Sequence, residues 1–261
     1  MRPFIFHLGS LGVPAFFFMV MIAALTATFY AYNKAKKEKG LDPVVMLDFG
    51  IVGIIASVLG SRIIHILVES PMYYWEDPIR VFYFWQGGFV SLGAYTFTFI
   101  GWIIYTKVRK LQTWRYIDMA MLCVPIIIFF VRIGCLLAGC CYGKPTDFFI
   151  HLTFTDPGGA AGSIHPGEAL HASQVYNMLN AVVMFFVLRA VYARRHYYGQ
   201  VIVAFCLYYG VTRFMIEFLR GDVDRGMWFN DTLSSGQIAM IGAFILGIVL
   251  HFVFRKREAI Q

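Results

Sequence analysis

The most regular feature of the sequence is a series of seven long apolar stretches separated by short polar segments. A transmembrane helix needs about 20 mostly apolar residues to cross a bilayer, whereas a membrane β-strand needs only about 10, with alternating polarity. These stretches are too long and too uniformly apolar for a barrel. The pattern therefore predicts an all-α, polytopic membrane protein with about seven transmembrane helices, over residues 13–32, 44–68, 83–106, 118–138, 173–193, 199–218 and 233–254.

Basic residues collect in alternate polar segments. They cluster after the first, third and fifth predicted helices and again in the C-terminal tail, within residues 34–39, 107–115, 189–195 and 255–257. All four clusters fall on one side of a seven-helix arrangement, and the other side has few basic residues. Because Lys and Arg are enriched in cytoplasmic loops, this asymmetry predicts an N-terminus outside and a C-terminus in the cytoplasm.

Composition agrees with a membrane protein. Hydrophobic residues make up 59% of the chain and charged residues 14%, against about 25% charged residues in soluble domains. The net charge of +7 is accounted for by the cytoplasmic clusters and their attraction to anionic lipid, so no nucleic-acid partner is predicted. We predict a single transmembrane domain, residues 1–261, with an outer-side loop at 139–172 that is rich in turn residues and is expected to be functional.

Several ionisable residues lie within the predicted helices, where each costs roughly 2.5–3.5 kcal/mol on insertion scales. Arg213, Glu217 and Arg220 are spaced i, i+4 and i+7, which places them on one helix face. One carboxylate cannot neutralise two guanidinium groups, and Arg132 has no acidic residue near it in sequence. Planar guanidinium groups near the outer leaflet are well suited to bind a phosphate.

Two other sets of polar and small residues allow more than one interpretation. Asp48 and Arg62 share the second predicted helix, and we expect them to form a structural ion pair. Gly87 and Gly88 could let a lipid headgroup approach the backbone, or could simply interrupt the chain.

The five cysteines contain no C-x-x-C pair, so the sequence gives only a weak indication of a zinc or cluster site. Cys135, Cys140 and Cys141 lie near the outer end of the fourth predicted helix. Packing as small residues, a disulfide and a metal site remain as alternatives for them.

Residues 132–143, R-I-G-C-L-L-A-G-C-C-Y-G, resemble the signature R-x-G-N-x-x-N-G-E-x-x-G of the bacterial prolipoprotein diacylglyceryl transferase family. Three further stretches resemble family motifs in the same order. Gly60-Ser61-Arg62 is similar to G-A-R, His171–Tyr176 to H-P-S-Q-L-Y, and Tyr209–Arg220 to Y-G-x-x-R-F-x-x-E-x-x-R. The resemblance covers nearly the whole chain.

The resemblance implies seven helices with the N-terminus outside, in a bacterial plasma (inner) membrane. It implies transfer of the diacylglyceryl group of phosphatidylglycerol to the lipobox cysteine thiol of a prolipoprotein, with glycerol phosphate as the other product. The implied partners are phosphatidylglycerol, the prolipoprotein signal peptide and the lipid bilayer. The family uses no metal and no cofactor.

Residue roles follow from the same resemblance. Arg132 and Arg213 would hold the phosphate during catalysis, and Glu217 would orient an arginine or accept a proton. The substrate-binding residues would be Arg62, Gly87, Gly88, Ser91, Cys135, Gly143, His171, Gln174, Tyr176 and Arg220.

The sequence departs from the family pattern at several positions. Leu92 stands where the family often has a histidine, and Phe16 where it has a tyrosine; Cys135, Ala138 and Cys140 replace two asparagines and a glutamate of the signature. Leu92 cannot accept the thiol proton, so Glu217 or a substrate phosphate oxygen would have to do so. The alternatives are a non-catalytic paralogue that binds anionic phospholipid or lipoprotein, and an anion or lipid transporter.

Overall fold

Helices form most of the structure, a computed structural model that describes residues 4–8, 11–83, 87–222, 226–230 and 232–256. The α-helices are α1 (Ala15–Lys36), α2 (Pro43–Ile64), α3 (Pro71–Glu76), α4 (Ser91–Val108), α5 (Thr113–Met121), α6 (Val124–Ala138), α7 (Ala160–Ile164), α8 (Ser173–Ala193), α9 (Gln200–Glu217) and α10 (Ser235–Arg255). Three short antiparallel pairs join β1 (Phe4–Leu8) to β2 (Leu11–Pro14), β3 (His151–Thr153) to β4 (Ala169–His171) and β5 (Met227–Trp228) to β6 (Leu233–Ser234).

The mostly helical membrane character predicted from the sequence is confirmed. Among the described residues, six helical segments are long and apolar enough to cross a bilayer: Ala15–Lys36, Pro43–Glu69, Thr113–Ala138, Ser173–Ala193, Gln200–Glu217 and Ser235–Arg255. Six of the seven predicted stretches match these segments to within about five residues at each end, and the prediction of 173–193 coincides with α8.

The seventh predicted stretch needs correction, and one of the six is interrupted. In the described part of the stretch predicted at 83–106, residues 83 and 87–106, the helix begins at Ser91 as α4, an 18-residue helix that is not among the six segments. Gly87 and Gly88 precede it with φ of 84° and 75°, a left-handed conformation outside an α-helix. The stretch predicted at 118–138 is divided into α5 and α6, because Pro125 lies in the first turn of α6 and has no N–H to continue the preceding helix.

The chain divides into two compact units, one comprising residues 1–27 and 118–261 and the other residues 28–117. In the unit of residues 28–117, α2 packs along α4. Gly60 of α2 and Gly93 of α4 meet backbone to backbone, since a Cβ on Gly60 would lie 2.6 Å from the carbonyl oxygen of Gly93. Small residues at such a crossing allow two helices to approach closely in a membrane.

The expected ion pair between Asp48 and Arg62 is wrong. Fourteen residues separate them on α2, which at 1.5 Å per residue is about 21 Å. The Asp48 carboxylate accepts a hydrogen bond from the hydroxyl of Tyr105. Arg62 is buried and donates to backbone carbonyls, among them those of Gly87 at 2.5 Å and Arg80 at 2.6 Å.

In the unit of residues 1–27 and 118–261, α6 packs on α8, α8 on α9 and α9 on α10. The buried carboxylate of Asp118 accepts hydrogen bonds from the backbone N–H groups of Gly199 at 2.8 Å and Val201 at 3.0 Å. These groups lie at the N-terminus of α9, where helical N–H groups have no intrahelical partner. Asp118 therefore fixes the start of the helix that carries Arg213 and Glu217.

The loop at 139–172 folds into a small layer of its own. Strands β3 and β4 pair in register from His151 opposite His171 to Thr153 opposite Ala169. Beside them, α7 contributes to an apolar cluster of Tyr142, Phe154, Ala161 and Leu170, each at most 1% exposed. This cluster gives the loop a fixed shape next to the end of α6.

The contact between Gly60 and Gly93 predicts a clear difference between two alanine substitutions on α2. Gly60→Ala would overlap Phe97 and the backbone of Gly93, and should destabilise the protein by about 1–3 kcal/mol through overpacking. Gly53→Ala meets nothing nearer than 3.6 Å, so it should be neutral or stabilising by up to about 1 kcal/mol. Thermal unfolding of both variants in detergent checks this, and equal melting temperatures would contradict the packing of α2 on α4.

Candidate functional site

Glu217 is the centre of the polar cluster at the end of α9. Its side chain is only 2% exposed, and its Oε2 lies 2.5 Å from Nη1 of Arg213 and 3.4 Å from Nη1 of Arg220. A carboxylate removed from water in this way requires positive partners. The i, i+4, i+7 spacing predicted that these three residues share a face, and the structure confirms that they interact.

Arg220 lies just beyond the end of α9 and holds a second acid. Its Nε donates to Oδ1 of Asp222 at 3.0 Å, and its Nη2 donates to Oδ2 of the same carboxylate. The sequence argument that one carboxylate faces two arginines was therefore incomplete, because Asp222 joins the cluster. Arg213 and Arg220 thus meet the carboxylates of Glu217 and Asp222.

The start of α10 supplies a further contact to Glu217. Ser234 caps this helix together with Gln237, and its hydroxyl also donates to Oε1 of Glu217 at 3.0 Å. Sequence reasoning missed Ser234, although its spacing to Gln237 is that of a helix-capping box. Both carboxylate oxygens of Glu217 are thereby held, so the carboxylate has a fixed orientation.

The turn at residues 139–143, which we call the cysteine turn, ends α6. Gly139 caps the helix in the left-handed conformation, with φ of 68°. Gln174 donates from Nε2 to the carbonyl of Cys140 at 2.8 Å, and the Ser173 hydroxyl donates to the carbonyl of Cys141. Gln174, predicted to bind substrate, thus positions the backbone of this turn.

The cysteine turn runs antiparallel to the end of the α9 segment. The N–H of Lys144 donates to the carbonyl of Leu219 at 2.9 Å, and that of Gly221 to the carbonyl of Tyr142 at 3.0 Å. Gly143 bridges to Arg220 in this pairing, and a Cβ on Gly143 would overlap the carbonyl of His171. Gly143 is required because the backbone of β4 lies against it.

Arg132 reaches the same turn from α6. Hydrogen bonds from the thiols of Cys135 and Cys140, together with the charges of Arg132 and Arg220, lower the pKa of the Cys141 thiol although burial opposes this. Arg132 and Arg220 thus both act electrostatically on Cys141, and Glu217 links Arg220 to Arg213. Three arginines predicted from sequence are thus brought together in one region.

Two other predicted substrate-binding residues contact the outer-side loop. The Tyr176 hydroxyl donates to the carbonyl of Ile150 at 2.7 Å and lies 3.3 Å from Nδ1 of His171. His171 is part of β4, opposite His151 of β3. These contacts show how both side chains stabilise the loop at 139–172.

The remaining predicted residues belong to the unit of residues 28–117. Arg62, Gly87 and Gly88 line a pocket of about 250 Å³ with His65, Ser70, Tyr73 and Tyr74. Ser91 is the first residue of α4 and is exposed, and Leu92 beside it is 57% exposed. Arg62 itself binds carbonyls of the segment that leads into α4, so it positions this segment.

A set of apolar spanning helices with a buried arginine–carboxylate cluster at the end of α9 defines a polytopic helical membrane protein. The sequence model of the prolipoprotein diacylglyceryl transferase family matches residues 3–253. The chain belongs to this family, as the motif resemblance predicted.

Individual relatives match over almost their full length. A protein of Clostridium tetani named phosphatidylglycerol–prolipoprotein diacylglyceryl transferase is 30% identical over 99% of this chain and 100% of its own. Proteins with the same name from Acinetobacter baumannii and Pasteurella multocida are 29% and 28% identical, covering 98% of this chain and 93% and 95% of their own.

The buried position of Glu217 predicts a large loss of stability when its charge is removed. Glu217→Leu leaves Arg213 and Arg220 without their shared carboxylate, and should cost about 3–5 kcal/mol. Asp222→Asn, at a side chain that is 21% exposed, should cost less. Chemical denaturation in detergent compares the two variants, and an equal or smaller loss for Glu217→Leu would contradict the central role of Glu217.

Proposed function

We propose that this protein transfers the diacylglyceryl group of phosphatidylglycerol to the lipobox cysteine thiol of prolipoproteins. Family membership over residues 3–253 supports the proposal, as do full-length relatives that are named for this reaction. The structural observation that carries it is the gathering of Arg132, Arg213 and Arg220 around Glu217 and the cysteine turn.

The cluster suits the phosphate of an anionic lipid. Guanidinium groups remain charged at all physiological pH values and present several donors in one plane. Glu217 and Asp222 hold Arg213 and Arg220 in place before a ligand arrives, so little rotamer entropy is lost on binding. A guanidinium group has five N–H donors, so one that already binds a carboxylate can also bind a phosphate.

In the proposed reaction, the cysteine sulfur attacks C3 of the glyceryl group that carries the two acyl chains. A carbon–sulfur bond forms and the bond from this carbon to the phosphate oxygen breaks, which releases glycerol phosphate. Negative charge grows on the leaving phosphate, and Arg132 and Arg213 stabilise it there. The thiol loses its proton in the same exchange, so an acceptor is needed.

The contacts of Glu217 favour a phosphate oxygen of the substrate as that acceptor. The Glu217 carboxylate already accepts contacts from two guanidinium groups and from the Ser234 hydroxyl. These contacts make it a poor proton acceptor, but they allow it to orient the two arginines. Leu92 offers no acceptor atom. We therefore assign Glu217 to positioning Arg213 and Arg220.

We also propose that α4 is a seventh transmembrane helix and that the whole chain is one membrane domain in a bacterial plasma membrane. The N-terminus would then lie outside, and the basic segments at 34–39, 107–115 and 255–257 in the cytoplasm. This arrangement obeys the positive-inside rule at every loop. It places the cysteine turn and Arg220 at the outer leaflet.

Reporter fusions test this topology. Alkaline phosphatase, which is active only outside the cytoplasm, should be active when fused after residue 158 and inactive when fused after residue 110. A C-terminal green fluorescent protein should be fluorescent. If α4 did not cross the membrane, the activities of the two phosphatase fusions would be exchanged.

A transfer assay with phosphatidylglycerol vesicles and a fluorescent lipobox peptide tests the reaction. Wild-type protein should attach a diacylglyceryl group to the peptide, detected by mass spectrometry. Arg132→Gln and Arg213→Gln should each lower the rate by roughly 10²–10³-fold, the usual effect of removing one charge-stabilising donor. Arg189→Gln is the matched control, because Arg189 is exposed on α8 away from the cluster.

The absence of transfer by wild-type protein, under conditions in which the Clostridium tetani relative is active, would overturn the proposal. Leu92 and the cysteines of the signature motivate one alternative, a non-catalytic paralogue. That protein would bind phosphatidylglycerol vesicles through the same arginines without modifying the peptide, so vesicle binding measured beside transfer separates the two.

A further inference from the structure

The sulfur atoms of Cys135, Cys140 and Cys141 all lie within 4.8 Å of one another. Three sulfurs bound to one ion at about 2.3 Å are separated by about 4 Å in a trigonal arrangement. The observed spacing is therefore close to that of a metal-bound triad, and small side-chain rotations would complete it. The three cysteines do not form a C-x-x-C motif in the sequence, because Cys135 lies in α6 whereas Cys140 and Cys141 follow the end of this helix.

The backbone of the cysteine turn holds the three thiols in this arrangement. Cys141 has φ of 57°, a left-handed conformation that costs energy in a residue with a side chain. Ser173 and Gln174 hold the carbonyls of Cys141 and Cys140, and the N–H of Cys140 donates to the carbonyl of Cys135 at 3.1 Å. Because these contacts hold Cys141 in a strained conformation, we infer that the direction of its sulfur atom is important for the arrangement of the three thiols.

The position of the triad allows an ion to enter and then be shielded from water. Cys135 is 4% exposed, whereas Cys140 and Cys141 are half-buried. A dissolved ion can thus reach the outer two sulfurs first and the inner one afterwards. Cys123 and Cys206, by contrast, are buried elsewhere in the structure.

The ligand set decides the class of ion. Among the described residues, the ligand group at the cysteine turn consists of three cysteines and includes no histidine or carboxylate. Structural zinc is almost always bound by four protein ligands, whereas soft thiolates alone select copper(I). Three sulfurs without a fourth ligand favour a soft monovalent ion.

Charge supports the same choice. A monovalent ion bound by three thiolates forms a complex of charge −2 and releases three protons to solvent. Arg132 and Arg220 both act electrostatically on Cys141, where positive charge lowers the cost of a negatively charged complex. They can compensate its charge in a partly dehydrated site.

We propose that Cys135, Cys140 and Cys141 form a binding site for a soft, thiophilic monovalent metal ion of the copper(I) and silver(I) class. The site is separate in its chemistry from the arginine cluster, and its test needs no transferase activity.

Copper(I) competition is the direct test. The full-length protein, purified in detergent and reduced, is titrated with copper(I) in the presence of a chromogenic copper(I) chelator. We expect one ion per chain to be withdrawn from the chelator. Cys135→Ser, Cys140→Ser and Cys141→Ser should each weaken binding by about 100-fold, in the upper range for changes at metal sites.

Cys123→Ser and Cys206→Ser are the matched controls and should bind copper(I) like the wild type. Thermal unfolding of the metal-free variants identifies any that fail to fold. If a variant does not fold, alkylation of the wild-type protein tests the same ligands. Bound silver(I) should protect Cys135, Cys140 and Cys141 from a thiol reagent, and should not change the reactivity of the other cysteines. X-ray absorption of the copper-loaded protein should show three sulfurs at about 2.3 Å.

Four results would overturn the proposal. The chelator could keep all the copper, Cys141→Ser could bind as tightly as the wild type, or mass spectrometry of the native protein could find two of the three thiols joined in a disulfide. Tight binding of zinc in preference to copper(I) would equally reject the assigned class of ion.

Discussion

A single buried carboxylate organises the unit of residues 1–27 and 118–261. Glu217 is almost fully removed from solvent and is held by Arg213, Arg220 and Ser234. Arg213 lies one turn earlier in α9, Arg220 lies just beyond the end of α9, and Ser234 lies at the start of α10. An ion pair away from water is stable only when all its members are satisfied, so the ends of α9 and α10 must keep their positions.

The cysteine turn depends on the same arrangement. Its backbone pairs with residues 219–221, the segment to which Arg220 belongs. Gly143 lacks a side chain that would separate the turn from β4, and Gln174 and Ser173 hold the turn from α8. The segment around Gly143 is therefore joined by backbone hydrogen bonds to the segment that carries Arg220. These bonds bring two motifs that are distant in sequence next to each other.

The protein uses buried arginines in two different ways. Arg213 and Arg220 face the carboxylates of Glu217 and Asp222, which orient them. Arg62, in the unit of residues 28–117, instead donates to the carbonyls of Val81, Gly87, Arg80 and Tyr83. Because peptide dipoles stabilise its charge without neutralising it, Arg62 fixes the segment before α4 and lets that helix begin at Ser91.

Sequence alone determined the helical membrane class, most helix positions, the family and the shared face of Arg213, Glu217 and Arg220, because hydrophobic length and helical periodicity are local properties. It could not find Asp222 and Ser234 as partners, nor the true partner of Asp48, and it paired Asp48 with Arg62 across about 21 Å of one helix. Tertiary structure decided these contacts, together with the short α4 and the convergence of three thiols. These contacts depend on how separate segments of the chain pack against one another. The residues that meet in this way have no fixed spacing in the sequence.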